Sequence, residues 1–213
     1  MLIESVAPIL PSRWRVAVAF ALATLVPVTV LLVVVPLVGA WGGFIEASIQ
    51  RPVAMLSVAS LAAGQWAGGR LGYGVRVRVA FGAAFLIGLP IPLLIVAGLG
   101  SLSGHETVAG LAGVFMLAFS LAYSLLGAIG VGLSGFGWRC TVQVAVMFAG
   151  GGAVAGMVLA GLMGATVGAP APVEAVVHAC GAAAACALPA AFGGWSIATF
   201  CLGGSSDYGW LRR

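Results

Sequence analysis

Charged residues are scarce in this sequence, and lysine is absent. Only 7% of the 213 residues are charged, and nine arginines and five acids supply all of that charge. In an ordinary soluble domain about a quarter of the residues are charged. With so few, a soluble fold would expose large apolar patches to water. The shortage therefore excludes an ordinary soluble globular domain.

Motifs for catalysis and for metal or phosphate binding are also missing. The chain has no Walker loop, dinucleotide fingerprint, haem-attachment motif or H-E-x-x-H helix. Its cysteines form no C-x-x-C pair and have no histidine at zinc-finger spacing: Cys140, Cys180, Cys186 and Cys201. The net charge of +4 is dispersed and forms no basic stripe. We therefore expect no enzyme activity, no cofactor, no metal and no nucleic-acid partner.

Hydrophobic residues make up 62% of the chain and are concentrated in six continuous runs. The runs cover about 16–41, 53–69, 79–100, 108–133, 140–168 and 173–202. A helix that crosses the hydrocarbon core needs about 20 such residues, and a membrane β-barrel would instead show alternating segments of about ten residues. The sequence predicts an all-α membrane protein. It would be a bundle of six transmembrane helices in one polytopic domain, 1–213, with 1–15 and 203–213 outside the spans.

The arginines predict the orientation of these spans. Eight of them fall on one side: Arg13, Arg15, Arg70, Arg76, Arg78, Arg139, Arg212 and Arg213. The other side receives Arg51. Because arginine-rich loops stay in the cytoplasm, both termini are predicted to be cytoplasmic. We expect an integral protein of the bacterial cytoplasmic (inner) membrane, whose partners are the lipid bilayer and other membrane helices of a homo-oligomer or a hetero-complex.

Glycines recur at four-residue spacing within the runs. The pairs are Gly64 with Gly68, Gly152 with Gly156, and Gly164 with Gly168. Small residues at this spacing let two helix backbones approach closely. The fifth run is the richest in glycine, and we expect it at the centre of the bundle.

The two halves of the chain match weakly when the sequence is shifted by 99 residues: Ala19–Ala23 falls on Ala118–Ala122, and Gly82–Ala84 falls on Gly181–Ala183. The shift maps the first run onto the fourth and the third onto the sixth. Since each half has three spans, the halves would form two inverted three-helix repeats, an arrangement found in many transporters. Composition is the alternative, because a chain so rich in Ala, Gly and Leu also gives such matches by coincidence.

Four prolines lie within the predicted spans: Pro27, Pro90, Pro92 and Pro189. Proline removes a backbone hydrogen bond from a helix, and interrupted helices at matching positions of two halves point to a substrate site. Purely structural membrane helices also tolerate proline. The prolines are therefore candidates for helix breaks beside a pathway, with a structural role as the alternative.

No charged side chain is expected deep in the bilayer, so neutral polar residues would have to line a pathway. The candidates in the predicted spans are Gln65, Ser120, Tyr123 and Gln143. Such residues also bond neighbouring membrane helices to one another. The absence of a buried carboxylate disfavours a proton pump, because a central charge is how such a relay usually works.

Titratable residues gather on the side opposite to the arginines. Glu174 and His178 stand four residues apart, which puts them on one face of a helix. His105 and Glu106 precede the fourth span. These four are candidates for an outer-face group that titrates, and solvated interface residues are the alternative. A metal site needs three or four ligands in fixed geometry, so none is predicted.

The segment Gly132–Gly135 contains Ser134, and His178 is followed three residues later by Gly181. These residues resemble the serine and histidine motifs of the rhomboid intramembrane proteases, which implies a serine and a histidine that meet at one face. The predicted topology places Ser134 and His178 at opposite faces, separated by about 30 Å of hydrocarbon. The pair cannot meet, and this activity is excluded.

The six spans, the prolines and the shifted match predict a small polytopic membrane transport protein, either a carrier or a channel-like pore, for an unidentified solute or ion. The alternative is a non-catalytic integral subunit of a larger membrane complex, which needs only helix faces to present to its partners. Both hypotheses fit a chain with little polar mass outside the bilayer.

Overall fold

The computed structural model describes residues 12–34, 50–72, 74–89, 108–166 and 170–202. Within these ranges all regular structure is helical. The six helices are α1 (Arg13–Thr29), α2 (Gln50–Gly69), α3 (Val75–Gly88), α4 (Val108–Ser134), α5 (Trp138–Ala165) and α6 (Ala171–Ser196). Two of them continue as wider π-helical segments, α1 into Val30–Val34 and α6 into Ile197–Leu202. The predicted all-α class is confirmed for the described residues.

Three helices are long and apolar enough to cross a membrane: Ala112–Ser134, Trp138–Ala165 and Pro172–Leu202. These three helices support a membrane protein by their length and composition. Helices α1, α2 and α3 are shorter or less apolar within the described residues. The predicted runs 16–41 and 79–100 extend into residues 35–41 and 90–100, which lie outside the described ranges.

Local sequence signals account for several helix ends. The Ser12 hydroxyl accepts a hydrogen bond from the Arg15 backbone N–H at 3.3 Å, which satisfies a free donor of the first turn of α1. The short connection from α4 to α5 uses Gly135 and Gly137 at φ 86° and 92°, where side chains are disfavoured. Helix α6 begins with Pro172 in its first turn, a position that needs no N–H donor.

The helices form a closed ring in which each packs against its neighbours in the chain and α6 returns to α1. Neighbours run in opposite directions. On α4 and α5, for example, Gly127 lies against Phe148, whereas Phe115 lies against Gly156. An alternating ring brings the start of α1, the end of α2, the start of α3, the end of α4 and the start of α5 to one end of the bundle.

Phenylalanine side chains fill the interior of the ring. The ring of Phe20 meets that of Phe81 edge-on with centroids 5.2 Å apart, and Phe85 lies 6.2 Å from Phe20. All three are fully buried. Because Phe20 belongs to α1 and Phe81 to α3, which are not neighbours in the ring, these side chains meet across its middle. The interior is closed and apolar at this level.

Helix α5 is part of the ring and does not lie at its centre, so that prediction is wrong. Its outward face carries exposed apolar side chains: Val146, Val154, Met157 and Val158. Its glycines instead serve two neighbouring helices. Gly152 and Gly156 face α4, whereas Gly151 faces Pro189 of α6. A helix rich in glycine can approach two neighbouring helices closely without being surrounded by helices on all sides.

Two of the three predicted glycine pairs lie at close helix contacts. A Cβ added at Gly152 would come within 2.5 Å of the Phe119 carbonyl oxygen, and one at Gly156 within 2.5 Å of the Phe115 carbonyl oxygen. Gly64 and Gly68 face the backbone of α3 in the same way. Backbone atoms cannot turn aside as a flexible side chain can, so these positions require glycine.

We expect Gly152→Ala to lower the free energy of unfolding by about 1–3 kcal/mol, the usual cost of overpacking. Gly150→Ala is the matched control, because a Cβ there meets no atom within 4 Å. It should be neutral or slightly stabilising through helix propensity. Thermal unfolding of both variants in the same detergent measures the difference. Equal stability of the two would contradict the close α4–α5 contact.

Candidate functional site

The described arginine side chains share one end of the bundle. Arg13, Arg15, Arg70, Arg76, Arg78 and Arg139 lie at the helix ends that meet there. Arg76 links two of these helices, since its Nε donates a hydrogen bond of 2.9 Å to the Leu133 carbonyl oxygen at the end of α4. A cation at a helix C-terminus is stabilised by the helix dipole. Arg51 lies in the first turn of α2, at the other end.

The candidate pathway residues are not gathered into one passage. Gln65 and Gln143 are exposed on the outer surface of α2 and α5, Ser120 is half-buried, and Tyr123 is buried. Pro90 and Pro92 lie outside the described residues. Of the neutral polar candidates, Tyr123 is therefore the one that the structure places in the interior.

The Tyr123 side chain connects α4 to α5 and α6. Its hydroxyl donates a hydrogen bond of 2.6 Å to the Cys186 carbonyl oxygen of α6. Its ring stacks on Phe148 of α5, with centroids 6.1 Å apart and an interplanar angle of 14°. A buried hydroxyl must be satisfied within the protein, and here it is satisfied by the backbone of a neighbouring helix.

Pro189 lies one turn from this hydrogen bond. Helix α6 runs through Pro189 without a break, and the proline is buried. Because proline has no N–H, it cannot donate to the Ala185 carbonyl four residues earlier. Tyr123 donates to the adjacent carbonyl, that of Cys186. The Gly151 backbone leaves room for the proline, since a Cβ added there would be 3.3 Å from the Pro189 Cα.

We call the group formed by Tyr123, Phe148, Gly151, Cys186 and Pro189 the α4–α6 cluster. Sequence reasoning selected Tyr123 and Pro189 separately and missed Phe148 and Gly151. The run Gly150–Gly152 was the available signal for Gly151, whereas Phe148 resembles any other apolar residue of its span. The cluster contains no charged group, so it is suited to fixing or pivoting helices and not to acid–base chemistry.

Pro27 has a comparable setting in α1. The helix continues through Pro27, which is buried, and then widens into the π-helical segment Val30–Val34. π-helical turns are rare and are often found at functional sites. Neither described proline therefore interrupts its helix, and the role of Pro27 and Pro189 beside a pathway stays a prediction.

The outer-face candidates are partly described. The Nε2 atom of His178 lies 2.9 Å from the Thr166 hydroxyl oxygen at the end of α5. That hydroxyl also lies 3.1 Å from the Leu162 and Met163 carbonyl oxygens, to which it can donate, so the arrangement suits His178 as the donor to Thr166. The histidine thus ties α5 to α6. Glu174 is half-buried in the first turn of α6, where a carboxylate is stabilised by the helix dipole.

His105 and Glu106 lie outside the described residues, so their proximity to Glu174 and His178 stays a prediction. Among the residues that the structure describes, no group of three or more His, Cys, Asp or Glu side chains could hold a metal ion. Ser134 ends α4 at the arginine end, whereas His178 binds Thr166 at the other end. The two residues of the protease-like motif lie far apart.

Comparison with protein-family models, with characterised proteins and with solved structures finds no match to this chain. A functional proposal therefore depends on the chain's own residues and contacts.

Replacing Tyr123 by Phe should lower the free energy of unfolding by about 0.6 kcal/mol, and by at most about 1.7 kcal/mol, the range for hydrogen bonds between membrane helices. The loss comes from the hydrogen bond to the Cys186 carbonyl oxygen, which Phe cannot make, while the stacked ring is kept. Thr29→Val is the control, because the Thr29 hydroxyl donates within its own helix, to the Leu25 carbonyl oxygen at 2.8 Å. Equilibrium unfolding of both variants in mixed micelles measures the effect. A Tyr123→Phe protein as stable as the parent would show that the hydrogen bond contributes nothing.

Proposed function

We propose that this chain is a small membrane transport protein with six spans, both termini in the cytoplasm and two inverted three-helix repeats, and that it works as a carrier in a bacterial cytoplasmic membrane. The observation that carries the proposal is the correspondence between the two halves of the ring. It is supported by burial in the first helix of each half, by the order in which the helices pack and by helix direction.

Burial follows the 99-residue shift in the first helix of each half but not in the third, because the buried Val77, Phe81 and Phe85 of α3 fall on the exposed Val176, Cys180 and Ala184 of α6. Between residues 16 and 27 the buried positions of α1 match those of α4: Val16 with Phe115, Ala19 with Ala118, Phe20 with Phe119, Ala23 with Ala122, Thr24 with Tyr123, and Pro27 with Leu126. Exposed positions match as well, for example Val18 with Leu117. Ala17 and Met116 are the exception. A shared face in a shared register supports a repeat of the first helix of each half.

The order in which the helices pack is compatible with the same correspondence. If α1 corresponds to α4 and α3 to α6, then the contact between α3 and α4 should correspond to that between α6 and α1. Both pairs pack in the ring. Gly88 of α3 lies against Ala122 and Leu126 of α4, and Gly194 of α6 lies against Phe20 of α1. Each contact thus places a glycine of the third helix of one half against the buried face of the other half's first helix, although the shift maps Gly88 onto Ala187, seven residues before Gly194.

Helix direction gives the repeats opposite orientation. Three alternating helices per half place α4 antiparallel to α1, so a two-fold axis in the membrane plane would relate the halves. Transporters with such repeats bind substrate near the midplane and alternate between faces by moving one repeat against the other. The interior between the halves is closed by Phe20, Phe81 and Phe85. A closed interior fits a carrier that must rearrange better than a pore that stays open.

The second candidate, a non-catalytic subunit of a membrane complex, is favoured by Gln143. Its side chain is exposed on α5, and a polar group that faces lipid gains from a hydrogen bond to another helix. Purification in mild detergent with a stoichiometric partner would favour this function, and a lone monomer or homodimer would favour transport.

The six-span topology predicts that reporters inserted after Gly72 and after Gly137 lie in the cytoplasm. Reporters inserted within 35–49, 90–107 and 167–169 should lie outside. Alkaline phosphatase, which is active outside, and green fluorescent protein, which is fluorescent inside, give opposite readouts at each site. If the insertions within 35–49 and 90–107 both reported a cytoplasmic location, the first three helices would not cross the bilayer and the inverted repeat would fail.

The transport proposal predicts solute or ion flux by the purified protein in liposomes, across a broad panel of small solutes. Pro189→Ala restores an N–H donor to α6 and stiffens the α4–α6 cluster, so we expect flux to fall by about tenfold or more while the protein still assembles. Pro172→Ala is the control, since Pro172 is exposed in the first turn of α6. No flux from folded parent protein over the panel would refute transport. Equal flux from both variants would remove Pro189 from the mechanism.

A further inference from the structure

A groove runs along the outer surface between α1 and α2. Its arginine end has a volume of about 550 Å³ and is lined by residues that include Trp14, Arg15, Trp66 and Arg70. It leads into an apolar section of about 710 Å³, lined by α1 from Leu22 to Val30 and by α2 from Ala62 to Trp66. Leu22 and Trp66 line both sections, so the groove is continuous.

Trp66 is the point around which the basic groups of the groove are arranged. The Arg70 guanidinium lies over the Trp66 ring, with its Cζ 4.9 Å from the ring centroid, a distance at which a cation–π attraction holds the side chain in place. Arg15 lies in the same section of the groove. Arg78 and Gln65 line a further cavity of about 490 Å³ on the other side of Trp66 and Arg70.

Charge at this end is of one sign within the described residues. Glu174 is the one acidic side chain in those ranges, and it lies at the opposite end of the bundle. Arg15 and Arg70 therefore have no described carboxylate near them. A guanidinium group binds phosphate oxygens through two parallel hydrogen bonds. The charge of the groove mouth is complementary to a phosphate monoanion or diester.

The apolar section has the length and position of a lipid chain. From Arg15 to Val30 the helix rises by roughly 22 Å at 1.5 Å per residue. One leaflet of the hydrocarbon core is about 15 Å deep. A chain that starts at the arginines can therefore lie along α1 over the full depth of its leaflet, against the exposed side chains of Leu22 and Val26, and α2 forms the other wall from Ala62 to Trp66.

We propose that this groove is a binding site for one anionic phospholipid. Arg15 and Arg70 hold its phosphate, Trp66 lies at the boundary between headgroup and chain, and one acyl chain lies between α1 and α2. The site rests on the six-span topology of the proposed function, which puts the arginine end at a membrane surface, but it does not depend on transport, so its test measures lipid and not flux. A general lipid annulus would make no distinction between headgroups, and this site does.

The experiment is native mass spectrometry of the full-length protein, titrated with phosphatidylglycerol or with phosphatidylcholine of the same acyl chains. We expect phosphatidylglycerol to bind at least tenfold more tightly. The double variant Arg15→Gln/Arg70→Gln should weaken it by about 30-fold, because each arginine near an anionic surface contributes about 1 kcal/mol and 1.4 kcal/mol is tenfold. The control Arg13→Gln/Arg139→Gln removes the same charge at the same end, outside the groove, and should weaken phosphatidylglycerol binding by less than about threefold.

Two further measurements separate the headgroup from the chain. Glycerol phosphate should compete with phosphatidylglycerol only weakly, since it lacks the chain; competition at equal affinity would make this a phosphate site and overturn the lipid assignment. Phosphatidylglycerol with brominated chains should quench the fluorescence of Trp66, identified by its loss in Trp66→Phe. Equal binding of the two lipids by the parent protein, equal losses in the two double variants, or absence of quenching would each overturn the proposal.

Discussion

This bundle depends on phenyl rings that pack directly against glycine residues of a neighbouring helix. A Cβ added at Gly193 would meet the Phe148 ring, and one at Gly130 would lie 2.5 Å from a carbon of the Phe81 ring. Gly194 receives the base of the Phe20 side chain in the same way. In lipid no hydrophobic force drives helices together, so close packing has to hold them. These three contacts join α5 to α6, α4 to α3 and α6 to α1, and together they close much of the ring.

Such packing explains why the polar residues lie where they do. The inside of the ring is occupied by aromatic side chains, and there the Tyr123 hydroxyl donates a hydrogen bond to the Cys186 carbonyl oxygen. The buried Ser60 hydroxyl has no hydrogen-bond partner among the described residues. The larger polar side chains of Gln65 and Gln143 are exposed. A solute would have to displace phenyl rings from their glycines to pass between the halves. In a carrier this displacement would be the conformational change itself.

The sequence predicted the helices better than it predicted their neighbours. Apolar run length and glycine spacing depend on local physics, so the six helices and the contacts of Gly64 and Gly152 followed from them. The position of α5 did not, because a glycine-rich face shows that a helix is approached closely but not from how many sides. The role of Phe148 could not be predicted either, because it depends on contacts with Tyr123 and Gly193, which lie far away in the chain. The groove at Arg15 and Arg70 could not be predicted, because it forms only where α1 packs against α2. No residue spacing in the sequence indicates that these two helices are neighbours.

The hydrogen bond from Arg76 to the Leu133 carbonyl oxygen joins the last helix of one half to the first helix of the other. It lies exposed at the arginine end, where water and dissolved ions compete for both partners. An exposed hydrogen bond of this kind is weak and breaks without a large barrier, and its strength falls as ionic strength rises. If the proposed halves move against each other, this hydrogen bond has to break and re-form, and the ionic strength at the arginine end becomes one of the factors that set how long each state lasts.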